Sequence, residues 1–202
     1  MTDVLVPANR VPRWVENFGS RHGATTLAAA DGALRGTAED GSRFTARLPF
    51  GTSYDGPADA GAFAAAVVPP DAWGVLLVRK GGFAVARLAG SDVVDSKVGQ
   101  RHVQGRTKAG GQSQQRFARR RANQARQAYE AAAEHAARIL GDLTGPLVTG
   151  GDHAAVTEVL TDPRLSGTTV VDRWLPVADP RRAVLDAAIA DALAVAIDVH
   201  NA

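Results

Sequence analysis

The sequence predicts an α/β protein in which a mixed β-sheet is flanked by helices. One pattern predicts this class, and two further observations indicate a globular protein. A hairpin pattern near the middle of the chain is followed by alternating helix and strand patterns, which is typical of α/β sandwiches. Apolar residues make up 45% of the 202 positions, enough to bury a sizeable core. No apolar run is long enough to span a membrane.

Residues 1–70 are predicted to form an N-terminal extension that packs on the rest of the protein. Apolar residues at helical spacing indicate a short helix over residues 12–18. Between residues 24 and 50, strand-like runs alternate with Asp-Gly and Arg-Gly pairs, a pattern typical of a β-hairpin or meander. An Ala-rich stretch predicts a second short helix over residues 59–67.

Residues 71–202 are predicted to form the main domain, which begins with a β-hairpin. The segments WGVLLVR, over residues 73–79, and FAVARL, over residues 83–88, predict two strands joined by a Lys-Gly-Gly turn. Valines spaced among polar residues then indicate an extended segment over residues 91–104. The domain therefore starts with consecutive strands that pair with their neighbours.

One long helix is predicted over residues 113–140. This stretch contains no Gly or Pro, and its apolar residues recur at spacings near 3.6. Ser113 is a candidate N-cap, and Gly141 follows the predicted end.

The remaining segments alternate between strand and helix. Strands are predicted over residues 146–149 and 168–175, and Asp152 is placed to cap a helix that ends at residue 160. The glycine pair before Asp152 resembles a phosphate-binding turn, but without a Lys-Ser/Thr pair a plain connection is favoured. Asp179-Pro180 predicts the start of a last helix that runs to about residue 199.

Charge is distributed very unevenly along the chain. Residues 97–126 contain nine basic and no acidic residues, leaving 14 basic against 21 acidic residues elsewhere. Solvated helix faces usually mix both signs, so this asymmetry indicates a polyanionic partner at one place on the surface. The candidate RNA-binding residues are Lys97, Arg101, Arg106, Lys108, Arg116, Arg119, Arg120, Arg121 and Arg126.

Several kinds of chemistry are excluded or unsupported by the composition. The chain has no cysteine, which rules out disulfides, thiolate metal sites and cysteine nucleophiles. The five histidines show no metal-binding spacing, so we expect no metal and no cofactor. No signal-peptide pattern precedes the first helix, so we expect a cytoplasmic, monomeric protein without a membrane partner.

A short tip of small, neutral residues precedes the long helix. Gly110 and Gly111 permit backbone angles closed to other residues and allow another molecule to approach the main chain. Gln112 adds a neutral amide and a backbone N–H. None of these groups is a strong acid, base or nucleophile, so an active site here would work by placing hydrogen-bond donors.

The residues around this tip resemble a known catalytic loop. In eukaryotic and archaeal class I translation release factors the loop reads GGQS-x-x-RF-A-R-x-R and continues into a long helix. Here Gly110-Gly111-Gln112-Ser113 is followed by Arg116-Phe117-Ala118-Arg119 and by Arg121. The resemblance covers about residues 72–198. A stand-alone domain of this kind is most similar to the VLRF-type peptidyl-tRNA hydrolases of ribosome quality control, including their actinobacterial branch.

The resemblance implies a fold, an activity and a set of partners. The fold would be that of the release factor middle domain, with a protruding loop that carries Gly110, Gly111 and Gln112 as catalytic residues. The substrate would be peptidyl-tRNA on stalled or split ribosomes, where the tip enters the peptidyl transferase centre of the large subunit. Ribosomal RNA would complete the site, and the Gln112 backbone N–H would stabilise the charge that develops on oxygen.

The sequence also departs from the release factor pattern. Ala109 stands where those factors have a basic residue, and no codon-reading domain is visible. Residues 1–70 have no counterpart that we can assign. Two alternatives therefore stay open, which are cleavage of the tRNA near its 3′ end and a ribosome- or RNA-binding factor without catalysis.

Overall fold

The computed structural model describes the backbone of residues 2–100 and 112–202, and the side chains of residues 4–100 and 126–202. The chain forms two compact units, residues 1–69 with 189–202, and residues 70–188. Each unit contains one five-stranded sheet. The predicted α/β class with a mixed sheet flanked by helices is confirmed, and a second sheet is added to it.

The first unit is built on an antiparallel sheet with the order β1-β10-β4-β3-β2. Its helices α1 (Val11–His22) and α2 (Ala60–Ala65) contribute Phe18 and Phe63 to the core. Asp59 caps α2 by accepting from the Ala62 N–H. The strands are β1 (Thr2–Val6), β2 (Thr25–Ala30), β3 (Ala33–Ala38), β4 (Arg43–Arg47) and β10 (Val195–His200).

Aromatic contacts organise the core of this unit. The ring of Phe44 is met edge-on by Trp14 and by Phe18, with centroids 5.1 Å apart in both pairs. Gly36 lies opposite Phe44 in the neighbouring strand, and a Cβ at position 36 would overlap its ring. The missing side chain lets the Phe44 ring cover β3.

The C-terminal segment differs from the prediction. The last helix, α5, spans Arg182–Ala192, and residues 195–200 form strand β10 instead of extending the helix to residue 199. Val195 and Ile197 are fully buried while Asp198 lies on the opposite face, which is the period-2 alternation of a strand. Pairing with β1 and β4 on its two sides outweighs the helical propensity of the Ala-rich sequence before it.

This difference changes which residues belong to each of the two units. The sequence analysis assigned residues 71–202 to one domain, whereas residues 189–202 belong with the first 69 residues in the structure. The cause is that β10 lies second in the antiparallel sheet, next to a strand β1 that the sequence analysis did not predict.

The second unit contains a mixed sheet with the order β7-β6-β5-β8-β9. Neighbouring strands are antiparallel across β5, β6 and β7, and parallel across β5, β8 and β9. The predicted strands of this unit are confirmed, and the extended segment predicted over residues 91–104 is confirmed as far as residue 100, since residues 101–104 lie outside the described residues. The strands are β5 (Trp73–Arg79), β6 (Gly82–Ala89), β7 (Asp92–Gln100), β8 (Pro146–Gly151) and β9 (Thr169–Leu175).

Two helices cover one face of the mixed sheet. Helix α3 spans Gln112–Leu140 and α4 spans His153–Leu160. Buried alanines of α3, such as Ala132 and Ala136, pack with Leu76 and Val85 of the sheet. Because α3 begins at Gln112, Ser113 lies inside its first turn and is not the predicted N-cap.

No helix within the described ranges combines the length and the apolar character that crossing a bilayer requires.

Replacing Ile197 by Ala tests the placement of β10. Ile197 is fully buried between β1 and β4, so we expect the free energy of unfolding to fall by about 2–5 kcal/mol. The control Val170→Ala removes a side chain that is 43% exposed and is expected to cost less than about 0.5 kcal/mol. Guanidinium titration of both variants measures the difference. Equal losses would show that the Ile197 side chain is not buried between β1 and β4.

Candidate functional site

Four strands of the mixed sheet end at the same side of the second unit. Strands β8 and β9 run parallel to β5, and β7 returns to the same direction because it is antiparallel to β6. Their last residues are Arg79, Gln100, Gly151 and Leu175, and we call this side the carboxyl end of the sheet. The last described residue of β7, Gln100, lies at this end, directly before residues 101–111 in the sequence.

Helix α3 runs along the sheet away from the carboxyl end. Ala128 lies beside Gln100 at that end, whereas Leu140 lies beside Gly74 near the start of β5. Among the α3 side chains that the structure describes, from residue 126 onward, the first one buried in the core is Ala128. Residues 112–127 of α3 therefore extend past the carboxyl end, over about 24 Å at a rise of about 1.5 Å per residue. We call this part the stem.

The base of the stem rests on an aromatic seat. Phe83 of β6 lies opposite Gly99 of β7, and a Cβ at position 99 would overlap the Phe83 ring. The Phe83 ring also contacts α3, where the ring of His135 stacks on it with the ring centroids 5.5 Å apart. A pocket of about 140 Å³ remains beside the seat, lined also by Lys97 and Gln100. Gly99 thus brings β7 and α3 close together just before the chain enters residues 101–111.

Ion pairs attach the buried half of α3 to the rest of the second unit. Arg138 donates from Nη1 to Asp95 Oδ2 of β7 at 2.9 Å. Arg164 donates from Nη2 to Glu134 Oε2 at 2.9 Å and to Asp162 Oδ2 at 2.8 Å. These hydrogen bonds from Arg164 lower the pKa of Asp162 to about 2 and also lower the pKa of Glu134. Both carboxylates therefore keep their charge into acidic solution.

The predicted site residues fall into three groups. Arg101, Arg106, Lys108, Gly110 and Gly111 lie outside the described residues. Five others lie within residues 112–125 of the stem, where the described part is the helical backbone. They are Gln112, Arg116, Arg119, Arg120 and Arg121, and Gln112 is the first residue of α3.

Lys97 and Arg126 are the two predicted RNA-binding residues whose side chains are described. Lys97 is exposed at the pocket beside the seat. Arg126 is exposed and lies 3.4 Å from Glu130 one turn further along α3, measured from Nε to Oε1. An exposed i, i+4 pair of this kind is weak, so Arg126 retains its capacity to contact phosphate.

The structure does not support a phosphate site at the glycine pair before α4. Asp152 caps α4, and its Oδ1 accepts from the N–H groups of Ala154 at 3.1 Å and Ala155 at 3.4 Å. The helix donors that a phosphate would need are thus already occupied. The favoured plain connection between strand and helix is what the structure contains. Among the described residues, no group of His, Asp and Glu side chains is arranged to hold a metal ion.

A family model of the Actinobacteria/chloroflexi VLRF1 release factor matches residues 71–198. The chain belongs to this release factor family. The match includes the mixed sheet, the stem and the residues of the predicted tip. The resemblance to VLRF-type release factors is confirmed. No curated protein matches the chain.

Membership of the VLRF1 release factor family defines a general role. The protein acts in translation, in association with the ribosome, in termination or rescue. The elements that carry the tip, β7 and α3, are both inside the matched residues. The first 70 residues of this release factor lie outside the match.

The seat and the Arg164 pairs were missed in the sequence analysis. A glycine inside a strand pattern is a signal of close approach, and Gly99 in the predicted extended segment carried that signal. The ion pair between Arg164 and Glu134 joins residues 30 positions apart and has no local pattern from which it could be predicted.

Replacing Gly99 by Ala tests the seat of the VLRF1-family domain. The added methyl group must displace the Phe83 ring from His135, so we expect a loss of about 1–3 kcal/mol in the free energy of unfolding. Gly167→Ala is the control, since a Cβ there meets nothing within 4 Å. In the double variant Gly99→Ala, Phe83→Leu the two losses should not add. Additive losses would show that the two residues do not contact.

Proposed function

We propose that the protein hydrolyses the ester bond of peptidyl-tRNA on stalled or split ribosomes, without reading a codon. The observation that carries the proposal is the sequence Gly110-Gly111-Gln112 at the start of α3, inside the residues matched by the release factor family. A second domain that reads codons is not needed for this reaction, because the stalled complex already presents the peptidyl-tRNA.

The position of Gln112 suits stabilisation of an oxyanion. It is the first residue of α3, and the first N–H groups of a helix have no partner within the helix. The helix dipole also places partial positive charge at this end. A backbone N–H held here favours the negative oxygen of the tetrahedral intermediate, while the Gln112 amide orients the attacking water. Ribosomal RNA supplies the remaining contacts.

The stem suits delivery of the tip into a narrow RNA-lined site. Small, neutral residues at the tip enter the peptidyl transferase centre without desolvating a charge. The arginines of the stem follow behind the tip, where guanidinium groups pair with phosphate in bidentate geometry. The seat and the Arg138 and Arg164 ion pairs give the stem a fixed origin on the sheet.

Analysis of the released peptide separates this function from its alternatives. Hydrolysis leaves a peptide with a free carboxyl terminus, whereas cleavage of the tRNA near its 3′ end leaves a peptide that carries terminal nucleotides. A binding factor without catalysis leaves the peptidyl-tRNA intact. Mass spectrometry of the products from purified ribosome–peptidyl-tRNA complexes distinguishes the three outcomes.

Replacing Gly110 or Gly111 by Ala tests the tip. A Cβ at either position restricts the backbone that the reacting centre requires, so we expect peptide release to be abolished while ribosome binding is nearly unchanged. Single-turnover release and co-sedimentation with ribosomes measure the two properties. Wild-type release rates from both variants would refute the proposed role of the tip.

Replacing Arg119 and Arg120 together by Ala tests the stem. Contacts with phosphate set affinity and carry no sequence information, so we expect weaker ribosome binding for every tRNA and nascent chain. The salt dependence should flatten by about one unit of slope for each lost phosphate contact. The control Arg10→Ala, Arg13→Ala removes two arginines from the first unit. Unchanged affinity and slope in the stem variant would show that the stem is only a solvated helix face.

A further inference from the structure

The first unit contains a pocket of about 390 Å³. It lies between α1 and the ends of β1 and β10. The described residues that line it are outside residues 71–198, which the release factor family model matches. Its volume falls in the range of about 300–1,000 Å³ that is usual for small-molecule sites. The lining includes Trp14, Asn17, Phe18, Arg21, His22 and Asn201.

One face of helix α1 provides most of the polar and aromatic groups. Trp14, Asn17 and Arg21 follow each other at helical spacing of three and four residues, so they point in the same direction. The Trp14 ring is held by Phe18, whose ring lies at 15° to it, and by Phe44, whose ring lies at 84° to it. The pocket therefore has a rigid aromatic wall with amide and guanidinium groups beside it.

The charge of the pocket differs from that of the unit around it. The first unit carries six arginines against nine acidic residues, yet none of the carboxylates among residues 4–69 and 189–202 lines the pocket. His22 contacts Asp40 outside the lining, with Nδ1 and Oδ2 2.8 Å apart. Arg21 lines the pocket and forms no ion pair with any described residue. The chemistry of the pocket matches a planar base joined to a phosphate, since the pocket combines an aromatic wall, amide groups and a guanidinium group without an ion pair.

We propose that this pocket binds a single nucleotide, with its base against Trp14 and its phosphate at Arg21. Asn17 and Asn201 would hydrogen-bond to the edges of the base or to the sugar. The pocket volume of about 390 Å³ and the single arginine in the described lining suit one base and one phosphate, so the ligand is one unpaired nucleotide and not a duplex. The same chemistry is offered by a free nucleotide and by an unpaired nucleotide of RNA.

Calorimetry on the full chain tests the pocket with defined probes. The probes are adenosine 5′-monophosphate, adenosine, inorganic phosphate and a short oligoadenylate. We expect adenosine 5′-monophosphate to bind more tightly than adenosine or phosphate alone, because both subsites are filled. Tighter binding of the oligonucleotide identifies RNA as the source of the nucleotide, and equal binding identifies the free nucleotide; both results support the site.

Matched variants locate the binding. Trp14→Leu should weaken binding of adenosine 5′-monophosphate by about 5- to 150-fold, the range for loss of one base–aromatic stack. Arg21→Gln should weaken binding of the monophosphate and leave that of adenosine unchanged. Arg13→Gln removes an exposed arginine of the same helix that is outside the lining and should have no effect.

Backbone NMR of the wild-type protein provides a measurement that does not depend on whether the variants fold. Addition of adenosine 5′-monophosphate should shift amide signals of α1 and of residues 199–201 in the wild-type protein. Absence of binding at millimolar concentration, or shifts confined to the second unit, would overturn the proposal. The experiment uses no ribosome, so its failure leaves the proposed hydrolysis of peptidyl-tRNA unaffected.

Discussion

Close packing of α3 on the mixed sheet is the constraint on which the rest of the second unit depends. A helix can project far beyond a domain only if the remainder is held firmly. Here the hold comes from small side chains, since Ala132 and Ala136 are fully buried and let the helix backbone approach β5 and β6. Ion pairs at Arg138 and Arg164 flank this apolar seam and oppose sliding of the helix along the sheet.

The seat applies the same principle at the point where the chain leaves the sheet. At Gly99 the absence of a side chain gives room to the ring of Phe83, which then contacts His135 of α3. The small size of Gly99 and of the buried alanines of α3 therefore sets the position of the stem. Such positions tolerate enlargement poorly, because the nearest atoms belong to a buried ring and not to a flexible surface chain.

The sequence analysis predicted the second unit well because its signals are local. A Lys-Gly-Gly turn between two apolar runs, an Asp before α4 and a long stretch without Gly or Pro each act through neighbouring residues. The element that was predicted wrongly depends on contacts between residues that are distant in the sequence. Residues 195–200 have both an apolar content that suits a helix and an alternation that suits a strand, and pairing with β1 and β4 decides between them. The tip was predicted from its motif, and residues 101–111 lie outside the described residues.

The placement of β10 has a consequence for the order in which the protein folds during its own synthesis. The second unit is made of one continuous stretch, residues 70–188, so all its strands are available as soon as that stretch has been translated. The first unit lacks a strand next to its edge until residues 195–200 are made. Until then β4 and β1 expose unpaired backbone groups where β10 will insert. Although it begins first, the N-terminal unit is therefore completed last, and the unit that carries the stem is formed before it.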